Sequence, residues 1–142
     1  MIRVADVMSR DVVSIAPNDT VRHAAQRMAH YDVGALPVCD RGRIVGIVTD
    51  RDLAVRVLAD DVGPDTAIGE IATKRPVCCR EHDDLDAVQQ RMAEARIRRT
   101  PVVTAGGQLV GMLSLGDIAT RAQGASQDEL ANTLERVSQP GQ

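Results

Sequence analysis

Gly46-Ile47-Val48-Thr49-Asp50-Arg51-Asp52 decides how this chain folds, because an altered copy, Gly111-Met112-Leu113-Ser114-Leu115-Gly116-Asp117, follows later in the sequence. Each copy runs glycine, two apolar residues, a hydroxyl residue, two spacers and an aspartate. An apolar run that ends at a hydroxyl predicts a strand handing over directly to a helix. The hydroxyl then sits at the N-cap and the aspartate at the third helical position, near the positive end of the helix dipole. Such a helix start offers amides to a phosphate and a carboxylate to sugar hydroxyls. The same Ser/Thr-x-x-acid pattern is also a capping box, which satisfies the helix's own first donors and needs no ligand. The doubling of the motif tells against a cap that serves one helix alone.

Outward from the motif, the whole chain is doubled. Val4 to Ala59 aligns with Ile68 to Gly124 through matched pairs such as Val13/Val77, Asp19/Asp83, Arg27/Arg91, Met28/Met92, Pro37/Pro101, Gly46/Gly111 and Asp52/Asp117. Self-similarity over this length marks a repeated supersecondary unit. The expected division is repeat 1 over residues 2–60, a linker over 61–67, repeat 2 over 68–124, and a C-terminal helix and frayed tail over 125–142.

Within repeat 1, Val4 to Met8 reads as a helical turn and Val12 to Ile15 as a strand. Val21 to Asp32 carries Val21, Ala24, Ala25 and Met28 at helical spacing, with Gly34 ending the helix. Leu36-Pro37-Val38-Cys39 is a strand whose proline belongs at an edge or a strand start. The reversal at Asp40 to Arg43 pairs it with Ile44 to Val48, and a helix from Arg51 to about Leu58 presents Leu53, Ala54, Val57 and Leu58. Repeat 2 follows the same order: a strand at Pro76 to Cys79, a helix from Leu85 to Arg96 with Leu85, Val88 and Met92 inward, a hairpin from Thr100 to Thr104 and Gln108 to Leu113, and a helix from Ser114 to about Ala122. Ser126 to Val137 reads as a further helix, using Leu130, Leu134 and Val137. One β-α-β-β-α unit cannot bury both faces of its short strands. The fold class is therefore α/β, with two β-α-β-β-α repeats packed through their small sheets about a pseudo-twofold axis. A leftover apolar helix face favours a homodimer.

Composition excludes several function classes. The 142 residues contain no Phe, no Trp and one Tyr, so aliphatic residues and methionine build the core. A net charge of -3 with interspersed signs gives no basic field for a nucleic-acid backbone, and there are no aromatic platforms for bases. No apolar run reaches membrane-spanning length, and the charged start Met1 to Asp6 does not read as a signal peptide. Three cysteines without a CxxC argue against a disulfide framework and fit a reducing cytoplasm.

With these motifs in place, the sequence resembles a tandem pair of cystathionine-beta-synthase (CBS) domains, the Bateman module, of the free-standing bacterial type that includes hypoxic-response proteins. The resemblance rests on Ala35-Leu36-Pro37-Val38, Arg99-Thr100-Pro101-Val102-Val103 and the two glycine-to-aspartate motifs, and it covers nearly all of residues 2–124. It implies a sensor rather than an enzyme: a regulatory module that binds an adenosine-containing ligand (AMP, ADP, ATP, NAD or S-adenosylmethionine) in clefts between the repeats, with no required cofactor. By the same resemblance, Asp52 and Asp117 hold ribose hydroxyls, and Thr49 and Ser114 bind near the ribose or phosphate. Val77 then lines the Asp52 cleft, and Val13 with Met8 the Asp117 cleft.

The two clefts differ just before the second strand. Repeat 2 carries Arg98 and Arg99, whose forks suit phosphate oxygens, where repeat 1 carries Gly34 and Ala35. The Asp117 cleft is thus the expected phosphate site. The Asp52 cleft, with Arg51 opposed by Asp50, is expected to be empty or to hold a neutral adenosyl group.

The competing reading is a constitutive dimeric interaction protein with an unidentified protein partner, its helix starts acting only as caps. Met28 and Met92 read as core, and His23, His30 and His82 as surface residues without ligand spacing. Cys78 and Cys79 point to opposite faces, one core and one semi-exposed, with zinc shared between Cys39, Cys78 or Cys79 and a histidine a lesser alternative. No Walker loop, GxSxG or HExxH is present, and the catalytic expectation is none.

Overall fold

The computed structural model describes residues 1–121. The expected helix at 126–137 and the tail behind it lie outside the described residues. The fold is mixed α/β and its described residues divide into two compact units, one formed by Val13–Pro76, the other by Met1–Val12 together with residues 77–121. These units do not coincide with the sequence repeats: the leading segment of each repeat belongs to the unit built on the other.

In the unit of residues 13–76, α1 spans Val21–Tyr31, β1 Ala35–Asp40 and β2 Arg43–Thr49. Helix α2 begins over Asp50–Asp52 and continues as a π-helical segment through Leu58. A 3-10 turn at Ile68–Glu70 leads into the short β3, Thr73–Lys74. The sheet runs β1-β2-β3, all antiparallel, with Ala35 opposite Thr49 and Gly46 opposite Lys74. Thr20 caps α1, its hydroxyl accepting from the His23 N–H at 3.1 Å. The core gathers Ile15, Val21, Ala24, Met28, Leu36, Val38, Val48, Val57, Ile68, Ile71 and Ala72.

The other unit contains a 3-10 turn at Val4–Asp6, then α3 (Leu85–Ala95), β4 (Arg99–Val103), β5 (Leu109–Ser114) and α4 (Leu115–Arg121). β4 and β5 pair antiparallel, with Arg99 opposite Ser114. Its core joins Val4, Val7 and Met8 to Cys79, Leu85, Val88, Met92, Val102, Leu113, Leu115 and Ile118. Backbone bonds hold the N-terminal segment in place: the Val4 N–H donates to the Asp83 carbonyl at 3.0 Å, Ala5 to Glu81 at 2.9 Å, and Leu85 to Ile2 at 2.9 Å.

Four local expectations are corrected. The predicted first strand of each repeat contributes a single parallel bridge, Ile15 to Val38 and Cys79 to Val102, in place of a full strand. Pro37 and Pro101 fit because only their carbonyls, accepting from Ile15 and Cys79, are needed on that edge. Helix α1 ends at Asp32, in the left-handed region at φ 54°, rather than at Gly34; Arg96 at φ 58° ends α3 in the same way. Ala25 is exposed, since the inward stripe is Val21, Ala24 and Met28. In α2 the i→i+5 bonding changes which side chains face inward. Val57 is buried and Leu53 half-buried, whereas Ala54 is exposed and Leu58 is 79% exposed.

Candidate functional site

The two glycine-to-aspartate motifs form the same structure twice. Gly46 and Gly111 lie where β2 and β5 are crossed at close range by another strand or bridge. A Cβ on Gly46 would stand 3.0 Å from the Thr73 carbonyl oxygen, and one on Gly111 2.7 Å from that of Ser9. Beyond them each strand turns directly into a helix. The Thr49 hydroxyl accepts from the Asp52 N–H at 3.1 Å, and Asp52 Oδ2 accepts from the Thr49 N–H at 2.9 Å. Ser114 and Asp117 repeat this at 3.0 and 3.2 Å. Both starts are thus complete capping boxes, and each box commits only one carboxylate oxygen.

Beneath this symmetry the two starts offer different chemistry. At α2 the first three amides are occupied: Asp50 N–H donates to the Gly34 carbonyl at 2.9 Å, Arg51 N–H to Asp50 Oδ1 at 2.8 Å, and Asp52 N–H to the Thr49 hydroxyl. The Asp50 carboxylate occupies the place an anion would take. At α4 the Leu115 N–H donates to the Arg98 carbonyl at 3.0 Å and the Asp117 N–H to the Ser114 hydroxyl. The Gly116 N–H has no protein partner among the described residues. Leu115, standing where Asp50 stands in the first motif, has no carboxylate to fill that place. Arg99 lies directly across the ladder from Ser114, half-buried, and Arg98 is exposed beside it. The α4 start therefore combines an open amide and an uncommitted carboxylate oxygen, with the backbone of Arg98 and Arg99 alongside it, a set that suits a phosphorylated, hydroxyl-bearing ligand.

The structure brings Arg98, Arg99, Ser114, Asp117, Met8 and Val77 into one unit, and Gly34, Ala35, Thr49, Asp50, Arg51, Asp52 and Val13 into the other. Met8 is a core residue, 5% exposed, with its thioether against Gly111. Val77 is 44% exposed, its carbonyl accepting from the Thr100 hydroxyl at 2.7 Å. Val13 is half-buried against its own core. Sequence reasoning missed two participants. The sequence offers helix-start amides in general but does not single out that of Gly116, one of the two spacers, as the one its neighbours leave open. Arg56 stands four residues after Asp52, a spacing that places both on one helix face. Its Nε is 3.9 Å from Asp52 Oδ1 and its Nη1 donates to the Ile71 carbonyl at 2.8 Å. An open groove of about 530 Å³ on the outer side of α3, lined by Asp83, Asp84, Ala87, Gln90, Arg91 and Glu94, contains none of these residues.

The cysteines follow their burial. Cys79 is 2% exposed, and Cys39 and Cys78 are half-buried. Burial pushes the Cys79 thiol up to about 12, the neighbouring Asp83 adding to the rise while Arg91 and a Thr100 hydrogen bond oppose it. Burial also raises Cys39 and Cys78. A raised thiol is a poor nucleophile. At pH 8 a thiol reagent is expected to label Cys79 only after denaturation; rapid labelling of the native protein at that position would contradict this. The folded thiol keeps its proton to about 12, whereas an unfolded one loses it near its ordinary value of 9.0. Rising pH therefore favours the unfolded chain across that window. The urea midpoint should fall between those values, and Cys79→Ser should flatten the fall. Among the described residues no group of three or more His, Cys, Asp or Glu side chains is placed to hold a metal ion, and no helix is long and apolar enough to cross a membrane.

Two hydroxyl-and-acid helix starts, each at the end of a small antiparallel ladder, define a tandem CBS-domain protein. The chain belongs to the CBS domain family, whose model matches residues 4–59 and 68–124. Hypoxic response protein 1 of Mycobacterium tuberculosis is 35% identical over 121 residues, 84% of this chain and 84% of its own length. The crystal structure of Hypoxic Response Protein I with two coordinated zinc ions matches with a TM-score of 0.78 at 32% identity, covering 86% of this chain and 100% of that one. Two further solved structures contain adenosyl ligands. CBSX2 in complex with AMP has a TM-score of 0.74 at 27% identity, over 84% of this chain and 94% of that one. The CBS domain pair of MJ0100, with 5′-methylthioadenosine and S-adenosylmethionine, has a TM-score of 0.77 at 28% identity, over 84% and 94%.

Proposed function

We propose that this protein is a non-catalytic regulatory module whose two helix starts take adenosine-containing ligands, with the Asp117 start preferring a phosphorylated one. The observation that carries the reading is the difference between the two capping boxes. The amide that Asp50 occupies in the first motif is open at Gly116 in the second, beside Arg98 and Arg99. In each box one carboxylate oxygen is left to accept from a ribose hydroxyl. Relatives solved with AMP, methylthioadenosine and S-adenosylmethionine support this ligand class. Bound ligand then biases the protein toward the arrangement that binds it better. Residues Met8, Val13 and Val77 are the proposed apolar contacts for the base, and the working location is the cytoplasm.

AMP at about a hundredfold over its dissociation constant is expected to stabilise the protein by roughly 2–3 kcal/mol. Asp117→Asn should abolish most of this shift while the unliganded protein stays folded. Melting curves unmoved by millimolar AMP, ADP, ATP, NAD and S-adenosylmethionine would sink the reading.

A second reading has its own support. Val55 and Leu58 are 49% and 79% exposed on α2, an apolar surface suited to a homodimer or an unidentified protein partner. If the helix starts are caps only, Asp→Asn at 52 and 117 will cost modest stability, and no nucleotide will change the oligomeric state.

A further inference from the structure

Asp52 is not held by its capping box alone. Oδ2 accepts from the Thr49 N–H, which leaves Oδ1 as the oxygen for a ligand hydroxyl. Arg56 Nε stands 3.9 Å from that oxygen, beyond hydrogen-bond length, so its lone pairs remain open. The Asp52 side chain is 18% exposed and that of Arg56 49%, so a sheltered carboxylate faces a cation that water still reaches. What anchors the guanidinium is its bond to the Ile71 carbonyl at 2.8 Å, not its contact with Asp52. Ile71 is 7% exposed and opens the stretch that carries β3. That stretch pairs with β2 at Gly46 and Ile47, two to three residues before Thr49, and leaves this unit at Pro76. The Asp52 carboxylate and the exit segment are therefore joined twice: through the β2 backbone and through one side chain.

We propose that Arg56 is a positioning residue that couples occupancy of Asp52 by a ribose-type vicinal diol to the order of the Ile71–Lys74 segment. With its guanidinium clasped on Ile71, Arg56 fixes a positive charge beside Oδ1 and holds the carboxylate in the orientation that accepts the diol. Linkage makes the effect reciprocal: if the clasp favours the diol, the bound diol favours the clasp and steadies the segment. The inference rests on the reading of Asp52 as a ribose holder given above.

The test uses full-length Asp117→Asn, so that only the Asp52 start titrates, with adenosine as the probe. Calorimetry should detect binding that is lost in Asp52→Asn/Asp117→Asn. Adding Arg56→Gln should weaken it roughly threefold, the scale of a half-exposed ion pair. Hydrogen exchange should slow at Ile71–Lys74 when adenosine binds, and Arg56→Gln should remove that slowing, which a merely structural role for Arg56 would not predict. Adenosine binding that is insensitive to Arg56→Gln, or slowing that persists in that variant, overturns the coupling while leaving the ribose reading intact. Absence of Asp52-dependent adenosine binding overturns both. Should Arg56→Gln fail to fold, exchange in Asp117→Asn alone decides: slowing at Ile71–Lys74 supports the coupling, and unchanged exchange there refutes it.

Discussion

Removing residues 1–9 is expected to unfold the unit built on residues 77–121, the largest effect predicted for this protein. Val4, Val7 and Met8 are 0%, 1% and 5% exposed and sit in one core with Leu85, Met92 and Leu113. Burying three such side chains contributes roughly 5–9 kcal/mol, comparable with the whole stability of a domain. The deletion also leaves the carbonyls of Asp83 and Glu81 and the N–H groups of Leu85 and Met112 without the partners they have now. Each such loss adds to the cost where the group stays buried. Urea denaturation of the truncated chain should show this unit's transition lost or displaced to very low denaturant. A cooperative transition at the wild-type midpoint would mean that the segment is not part of this core. Deleting the same residues would be a smaller matter if they belonged with the rest of repeat 1, as the order of the sequence suggests.

Gly111→Ala is expected to cost about 2–4 kcal/mol, at the upper end for a single added methyl group. The new Cβ would stand 2.7 Å from the Ser9 carbonyl oxygen and 3.2 Å from the Sδ and Cε of Met8. Met8 is flexible and can yield. The carbonyl cannot, because Ser9 exchanges two backbone hydrogen bonds with Met112, each 2.9 Å long. The strain therefore falls on the bridge that ties the N-terminal segment to β5. Gly106→Ala is the control, since its Cβ would meet only the Thr104 hydroxyl at 3.9 Å. A thermal midpoint for Gly111→Ala equal to that of Gly106→Ala would show that the bridge gives way without cost.

Both predictions concern a feature that no local pattern in the sequence displays. The glycine was legible as the first residue of a repeated motif, but its reason was not: a segment about a hundred positions away passes too close for a side chain. The candidate site was legible to a greater depth. Thr49 with Asp52 and Ser114 with Asp117 are local pairs three residues apart, and their reciprocal hydrogen bonds follow from helix geometry alone. The contrast between Asp50 and Leu115 was readable as charge. That Asp50 accepts from the next amide, and that the Gly116 amide stays open, required coordinates. Arg56 was within reach of helical spacing, yet its anchor on Ile71 was not.

The sequence by itself determined the repeated order of helices and hairpins, the family and the two capped helix starts. Each of these depends on hydrophobic periodicity, turn chemistry and contacts a few residues apart. Only the tertiary structure decided which segments share a core. Val4 and Val7 lie with Leu85, and Ile68 and Ile71 lie with Val21. An apolar side chain is buried equally well by any complementary surface, since the hydrophobic effect has no direction and carries no record of chain order. Local pattern can say that a residue is buried. The partner that buries it is chosen by backbone hydrogen bonds between distant strands and turns.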